Sequence, residues 1–182
     1  MTFTFAVAGK GGVGKTTFAA LTVRHIHEVT KEVVLAVDAD PNANLGAKLG
    51  TEPAKTLGRI REEMLARGEA EPPAGVSKQE HLDYQIQLAV KEGTGFDLLT
   101  MGRQEGPGCY CYVNNMLRTI VDSLSARYKY AVIDNEAGME HLSRRTTRAS
   151  DVMFVLCDQT KGSLSAAQRI SQLADEMKIS IS

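Results

Sequence analysis

The chain carries no surplus of charge: 21 Lys and Arg stand against 22 Asp and Glu over 182 residues, a formal net charge of −1. Binding nucleic acid through its phosphates needs a basic surplus, so no nucleic-acid partner is expected. No apolar run is long enough to cross a bilayer and no signal-peptide pattern opens the sequence, so no membrane partner is expected either. Histidine is sparse, four in all, and scattered. His25 and His27 lie two apart on a helical stretch, face different ways, and make a poor chelating pair. Cysteine is scarcer still, three in all. Without a secretory pattern these thiols point to a reducing, cytoplasmic compartment, where closely spaced cysteines bind metal more often than they form disulfides. Internal repeats are absent, and the length fits a single domain, 1–182, with a substantial core.

Glycine, by contrast, is concentrated where it matters. Gly9, Gly11, Gly12 and Gly14 fall within six residues, after the apolar run Phe3 to Ala8 and before Lys15-Thr16-Thr17, which open a helical pattern. Strand, glycine loop and helix are the setting in which G-x-x-x-x-G-K-[ST] is a phosphate site. From Gly9 through Val13 to Thr17, backbone N–H groups would curl around an anion, and the helix N-terminus adds partial positive charge. Lys15 would reach the terminal phosphates and the Thr16 hydroxyl would ligate Mg2+. Gly9, Gly11 and Gly14 also spell G-x-G-x-x-G, with Asp38 where a dinucleotide fold keeps its ribose acid. Lys15-Thr16, which a dinucleotide loop does not need, favours the triphosphate.

Down the chain, helices are expected over Thr16 to Val29, with Phe18, Leu21, Ile26 and Val29 toward the core, and over Asn44 to Leu49, closed by Gly50. Thr56 to Arg67 and Lys78 to Lys91 read as two more, joined by a polar, proline-bearing loop. Strands are expected at Val33 to Val37, Phe96 to Met101, Tyr130 to Ile133 and Val152 to Cys157, with Cys157 as a small buried residue. A helix with Val113, Met116, Leu117, Ile120, Val121 and Leu124 on one stripe precedes the Tyr130 strand. Another runs from Ser163 to Met177 with Leu164, Ala167, Ile170 and Leu173 inward. The alternation predicts an α/β P-loop fold, a mainly parallel sheet with helices on both faces. Ile179 to Ser182 resembles the start of a further strand, so a C-terminally truncated or partial chain is expected.

Three acidic residues end strands. Asp134 closes Tyr-Ala-Val-Ile-Asp, where a carboxylate can hold the magnesium shell; its plainer alternative is a helix cap. Asp38 and Asp40 flank Ala39 before Pro41. Asp40, further beyond the strand, is the better candidate to orient the attacking water, with Asp38 supporting the magnesium; on sequence alone the two roles are interchangeable. Cys109 and Cys111 form a C-x-C pair, two thiolates that grip one soft ion but leave a tetrahedral site half filled, unless a two-fold partner supplies the rest. C-x-C alone is a weak motif, and two incidental thiols are the plainer alternative.

Gly9-Lys10-Gly-Gly-Val-Gly-Lys15-Thr16-Thr17 resembles the deviant Walker A motif of the nitrogenase iron protein, MinD and ParA family. The resemblance implies that Lys10, otherwise an exposed loop lysine, reaches the partner subunit's nucleotide, so that ATP hydrolysis needs a homodimer. It also implies that Asp38 to Pro41 is switch I, with Asp40 placing water, and that Asp134 to Gly138 is switch II. Gly-Pro-Gly-Cys109-Tyr-Cys111-Tyr-Val-Asn and the stretch from Asp134 to Arg145 look like the carbon monoxide dehydrogenase maturation factors of the CooC type. That implies an ATPase assisting nickel delivery to apo carbon monoxide dehydrogenase or acetyl-CoA synthase, with Ni2+ or Zn2+ on Cys109 and Cys111 at the dimer axis. The family's C-terminal part, with its adenine-recognising strand, is missing from this sequence.

Two other readings remain. A reductase like the nitrogenase iron protein, with a bridging [4Fe–4S] cluster, also needs two cysteines per subunit, but places them far apart. A MinD- or ParA-type positioning ATPase would need an amphipathic C-terminal helix or a basic surface. Common to all is the phosphate cradle. Lys15→Ala is expected to weaken triphosphate binding on the order of 10- to 100-fold, the worth of one charge-assisted hydrogen bond. Calorimetric titration with ATP checks it, and wild-type affinity in the variant would refute the cradle.

Overall fold

The computed structural model describes residues 2–66, 74–103, 124, 127–136, 150–177 and 180–181. Within them lie seven strands in one sheet, ordered β3-β4-β2-β5-β1-β6-β7. The strands are β1 Phe3–Gly9, β2 Val34–Asp38, β3 Val90–Gly93, β4 Phe96–Thr100, β5 Tyr130–Asp134, β6 Val152–Leu156 and β7 Ser180–Ile181. All pair in parallel except β3, which runs antiparallel to β4 at the edge. The helices are α1 Lys15–Thr30, α2 Leu45–Leu49, α3 Leu57–Ala66, α4 Lys78–Ala89 and α5 Lys161–Met177. The expected helix with Val113 and Met116 lies outside the described residues, apart from Leu124, which is buried.

The two-residue period of a strand sorts its side chains between the faces. On one face Val7, Val34, Ala36, Leu98 and Val132 pack with α1 and α2. On the other, Leu35, Val37, Leu99, Ala131 and Ile133 pack with Leu57 and Ile60 of α3 and Ala89 of α4. Ala6 and Ala8 of β1 face Met153, Ile170 and Ala174, covered by α5. Both faces are therefore occupied, as the near-continuous apolar strands require.

Helix α1 buries Ile26, as expected, together with Ala19, Ala20 and Val23, and not the expected Leu21 and Val29. Leu21 is 62% exposed and Val29 68% exposed. Phe18, partly buried, does pack against this cluster. The alanines sit at helical spacing from Val23 and let the helix approach the sheet closely, which a Leu21 stripe would not. On α5, Ile170 and Ala174 are buried, Leu173 packs beside them, and Leu164 stays half exposed. Cys157 is exposed, contrary to expectation. β6 ends at Leu156, so Cys157 lies past the strand, and β7 pairs with Val152 and Met153.

The expected helix over Lys78 to Lys91 ends at Ala89, and Val90–Gly93 is the strand β3. The reason is local: Gly93-Thr-Gly95 closes a tight hairpin, with Gly95 at φ 81. Phe96 lies so close over Gly93 that a Cβ there would fall 2.4 Å from its ring. Leu98→Ala, at a fully buried position of β4, is expected to cost about 2–5 kcal/mol in denaturant unfolding. Leu21→Ala is expected to stay within about 0.5 kcal/mol. Equal losses in the two variants would overturn this assignment of the core.

Candidate nucleotide site

The order β4-β2-β5-β1 sets four strand ends side by side, with Thr100 opposite Asp38, Asp38 opposite Asp134, and Asp134 opposite Val7. Thr100, Asp38 and Asp134 continue the parity of Leu98, Ala36 and Val132, so all three belong to the face that carries α1. Beyond β1 the chain turns through Lys10–Gly14 into α1. Gly9 lies so near β6 that a Cβ would meet the Leu156 carbonyl oxygen at 2.3 Å. Gly14 precedes α1 at φ 95, a left-handed conformation that opens the helix without a side-chain cap. Gly11, Gly12, Gly14 and Thr17 are exposed and Val13 is half-buried, so the loop's backbone borders solvent.

Lys15 is only 7% exposed and donates from Nζ to the Lys10 carbonyl at 3.2 Å. Burial pulls its pKa down, opposed by the charges of Asp134, Asp40 and Glu136. Lys10 is exposed; its ammonium lies over the first turn of α5, 3.2 Å from where a Cβ on Gly162 would sit.

Asp134 is 1% exposed, and neither carboxylate oxygen makes a hydrogen bond of good geometry among the described residues. Burial pushes its pKa up to about 6, against the opposing pull of the nearby Thr16 hydroxyl and the Lys15 charge. A buried carboxylate without well-formed hydrogen bonds is costly, and the cost is offset when a cation completes it. Hard oxygen donors of this kind, Asp134 and Thr16, suit magnesium, so the residues present fit that ion. Bound with a triphosphate, magnesium supplies charge neutralisation at the phosphate oxygens.

Asp38 uses both oxygens on backbone. Oδ1 accepts from the Asp40 N–H at 3.1 Å and Oδ2 from the Leu45 N–H at 2.8 Å, so it closes the loop between β2 and α2. Burial nevertheless raises its pKa to about 7. Asp40, half-buried, accepts at Oδ1 from the Asn42 backbone N–H at 2.8 Å and from Asn42 Nδ2 at 2.9 Å. Asn42 Oδ1 accepts from the Arg103 guanidinium at 2.9 Å. Asn135 donates from Nδ2 to the Val7 carbonyl at 3.0 Å, clamping β5 to β1 beside Asp134. Sequence reasoning assigned no role to Asn42, Thr100, Arg103 or Asn135. Asp-Pro-Asn carries turn chemistry that marks Asn42, whereas nothing local announces Arg103, 61 residues away.

Cys109 and Cys111 lie outside the described residues. The described residues hold no group of three or more His, Cys, Asp or Glu able to bind a metal ion, and no helix among them is long and apolar enough to cross a membrane.

A glycine loop leading into a helix, a buried lysine in its first turn and two strand-end carboxylates on a parallel sheet define a P-loop nucleoside triphosphatase. Residues 4–181 match the family model described as an AAA domain. An uncharacterised ATP-binding protein of Methanocaldococcus jannaschii is 50% identical over 175 residues, 96% of this chain and 69% of that protein. The carbon monoxide dehydrogenase accessory protein CooC of Rhodospirillum rubrum is 32% identical over 185 residues, 96% of this chain and 70% of that one. The septum site-determining protein MinD of Pyrococcus horikoshii, solved with Mg-ADP, superposes with a TM-score of 0.69 at 20% identity, covering 100% of this chain and 68% of that one. The chain thus belongs to the AAA-domain family of ATP-binding proteins, has the MinD/ParA fold, and is an ATPase.

The raised pKa values fix a pH dependence. Asp134 ionises near 3.8 when unfolded and near 6 when folded. Its contribution to stability is complete below about pH 4 and lost as pH rises through about 6; for Asp38 the window extends to about 7. Asp134→Asn is therefore expected to stabilise the nucleotide-free chain by about 1–3 kcal/mol at pH 8 while abolishing magnesium-dependent ATP binding. Thermal melts from pH 4 to pH 8 with and without Mg-ATP check both, and a variant less stable than wild type at pH 8 would contradict the burial argument.

Proposed function

We propose that the chain is an ATP-hydrolysing metallochaperone that assists nickel insertion into apo carbon monoxide dehydrogenase or a related acetyl-CoA synthase. The observation that carries this reading is the likeness to the CooC accessory protein along 96% of the chain. The sequence also holds a C-x-C pair at Cys109 and Cys111.

The proposed roles follow from placement. Backbone N–H groups from Gly9 through Val13 to Thr17 cradle the phosphates, and Lys15, already buried, exchanges its Lys10 carbonyl for a phosphate oxygen. Thr16 and Asp134 hold magnesium. Asp38 shapes the loop through its two backbone contacts, and Asp40, with Oδ1 engaged by Asn42, orients water with its other oxygen. Lys10 leaves Gly162 to meet the nucleotide of a second copy. In that homodimer two Cys109–Cys111 pairs present four thiolates to one nickel or zinc ion, the cargo.

A second reading, a positioning ATPase, is supported by the fold shared with MinD and with the partition-family ATPases. Native mass spectrometry separates the two. On the chaperone reading, nickel or zinc with ATP gives a dimer holding one metal ion, and Cys109→Ser loses that ion. A wild-type chain that stays monomeric and metal-free under every nucleotide condition would defeat the reading. ATP-dependent cosedimentation with anionic vesicles or DNA would favour the positioning ATPase.

A further inference from the structure

An aspartate that orients water must hold its carboxylate at one angle, and its own rotamer does not do so. Rotation about the bond to a carboxylate is broad and roughly two-fold, so hydrogen bonds have to set it. At Asp40 two donors do this, both on Oδ1 and both from Asn42: the backbone N–H at 2.8 Å and Nδ2 at 2.9 Å. Oδ2 is thereby left for a water. The amide of Asn42 is itself exposed and free to turn about the same kind of bond. What fixes it is its other neighbour, the Arg103 guanidinium, which donates to Asn42 Oδ1 at 2.9 Å. A guanidinium only donates and a carboxylate only accepts. An amide between the two has one orientation, oxygen toward Arg103 and nitrogen toward Asp40.

The backbone that carries Arg103 is held in place. The Met101 N–H donates to the Asp38 carbonyl at 2.8 Å, and the Gly58 N–H donates to the Met101 carbonyl at 2.9 Å. Gly102 takes φ 67 and lies so close to Thr56 that a Cβ would fall 2.5 Å from that residue's Cβ, so only glycine fits this turn. The end of β4 therefore grips the loop after β2 twice, at its stem through Met101 and at its tip through Arg103. Asp38 and Asp40 differ in how much they need this. The Asp38 carboxylate has two backbone donors, the N–H groups of Asp40 and Leu45. Asp40 has one backbone donor and one side-chain donor, and the second is steadied by a residue 61 positions from Asn42.

We propose that Arg103 is a positioning residue for ATP hydrolysis: acting through the Asn42 amide, it holds the Asp40 carboxylate with Oδ2 turned to the attacking water. The bonds from guanidinium to amide and from amide to carboxylate run in one sense, so each polarises the next. The inference rests on the reading of Asp40 as the residue that orients water, and it deepens that reading. It does not depend on the cargo, and holds for a metallochaperone and a positioning ATPase alike.

Single-turnover ATP hydrolysis by the full chain tests it, with affinity for a non-hydrolysable ATP analogue measured alongside. Arg103→Ala is expected to slow hydrolysis about three- to tenfold, the worth of one hydrogen bond, with the analogue's affinity unchanged. Arg103→Lys is expected to recover part of the rate, because its ammonium still donates to Asn42 Oδ1. Asn42→Asp keeps an acceptor for the arginine but loses the amide donor to Asp40, and is expected to be at least as slow as Arg103→Ala. In an Asn42→Ala background, Arg103→Ala is expected to cost nothing more, since the two act as one unit. The side-chain amide signal of Asn42, assigned in NMR spectra by its loss in Asn42→Ala, reads the contact without turnover and is expected to shift in Arg103→Ala. Additive losses in the double variant, a loss confined to affinity, or an unmoved amide signal would overturn the proposal. Asp40→Ala separates it from the reading beneath it. An inactive Asp40→Ala beside a fully active Arg103→Ala removes the arginine's role alone, whereas wild-type hydrolysis in Asp40→Ala removes both.

Discussion

The structure depends on a carboxylate placed where a carboxylate is expensive. β5 delivers Asp134 into the interior with no good hydrogen bond to either oxygen among the described residues, opposite a lysine that is itself buried. The two do not neutralise each other in a direct pair, since Lys15 donates to the Lys10 carbonyl. Each group's charged form is penalised by the same lack of water. A chain selected for stability alone would replace them with apolar residues of similar volume. Keeping them gives a site whose charges are already desolvated, so that on the proposed reading magnesium and phosphate would relieve the free chain's unfavourable electrostatics.

Much of the fold can be understood as the support for that placement. The central strands β2, β5 and β1 are paired on both edges, which fixes the heights of Asp38, Asp134 and Gly9 relative to one another. Ala19 and Ala20 bring α1 close to the sheet, and with it the loop whose lysine must lie near Asp134. Asn135 and Ala39 tie the strand ends together: the first donates to the Val7 carbonyl, and the second donates to the Asp134 carbonyl at 2.9 Å. A sub-ångström shift in any of these would leave a buried charge further from its counterpart, which is why the polar contacts at these ends go to backbone.

The strand–glycine loop–helix arrangement and the strand-end placement of Asp38 and Asp134 were legible because their signals are local: glycines, a lysine and a threonine at fixed spacing, and carboxylates that interrupt apolar runs. The central strands were legible for the same reason. What escaped was set by neighbours distant in sequence. Whether Leu21 or Ala20 faces the core depends on how closely α1 can approach the sheet, and the sheet under α1 includes strands as distant in sequence as Tyr130–Asp134. Cys157 looked buried because its run was apolar, yet β6 ends at Leu156 and Cys157 lies one residue beyond it, exposed. β3 was hidden inside a helical pattern, although Gly93 and Gly95 offered a hairpin signal. Asp38 and Asp40 are alike in sequence and are told apart by burial and by what their oxygens touch.

The same cradle serves proteins with unrelated tasks, so it cannot by itself choose between a metallochaperone and a positioning ATPase. The discrimination must come from what the nucleotide cycle moves. Asp40 is the natural origin of such movement, because it is half exposed, lies beyond the strand end, and is held by a turn instead of a sheet ladder. From Asp40 the described contacts lead through Asn42 to Arg103. On the proposed reading the coupling is also reciprocal: if nucleotide alters the hold on metal, metal must alter the hold on nucleotide or on the partner copy by the same factor. Loading with cargo would then bias the ATPase toward its assembled state before any client is met.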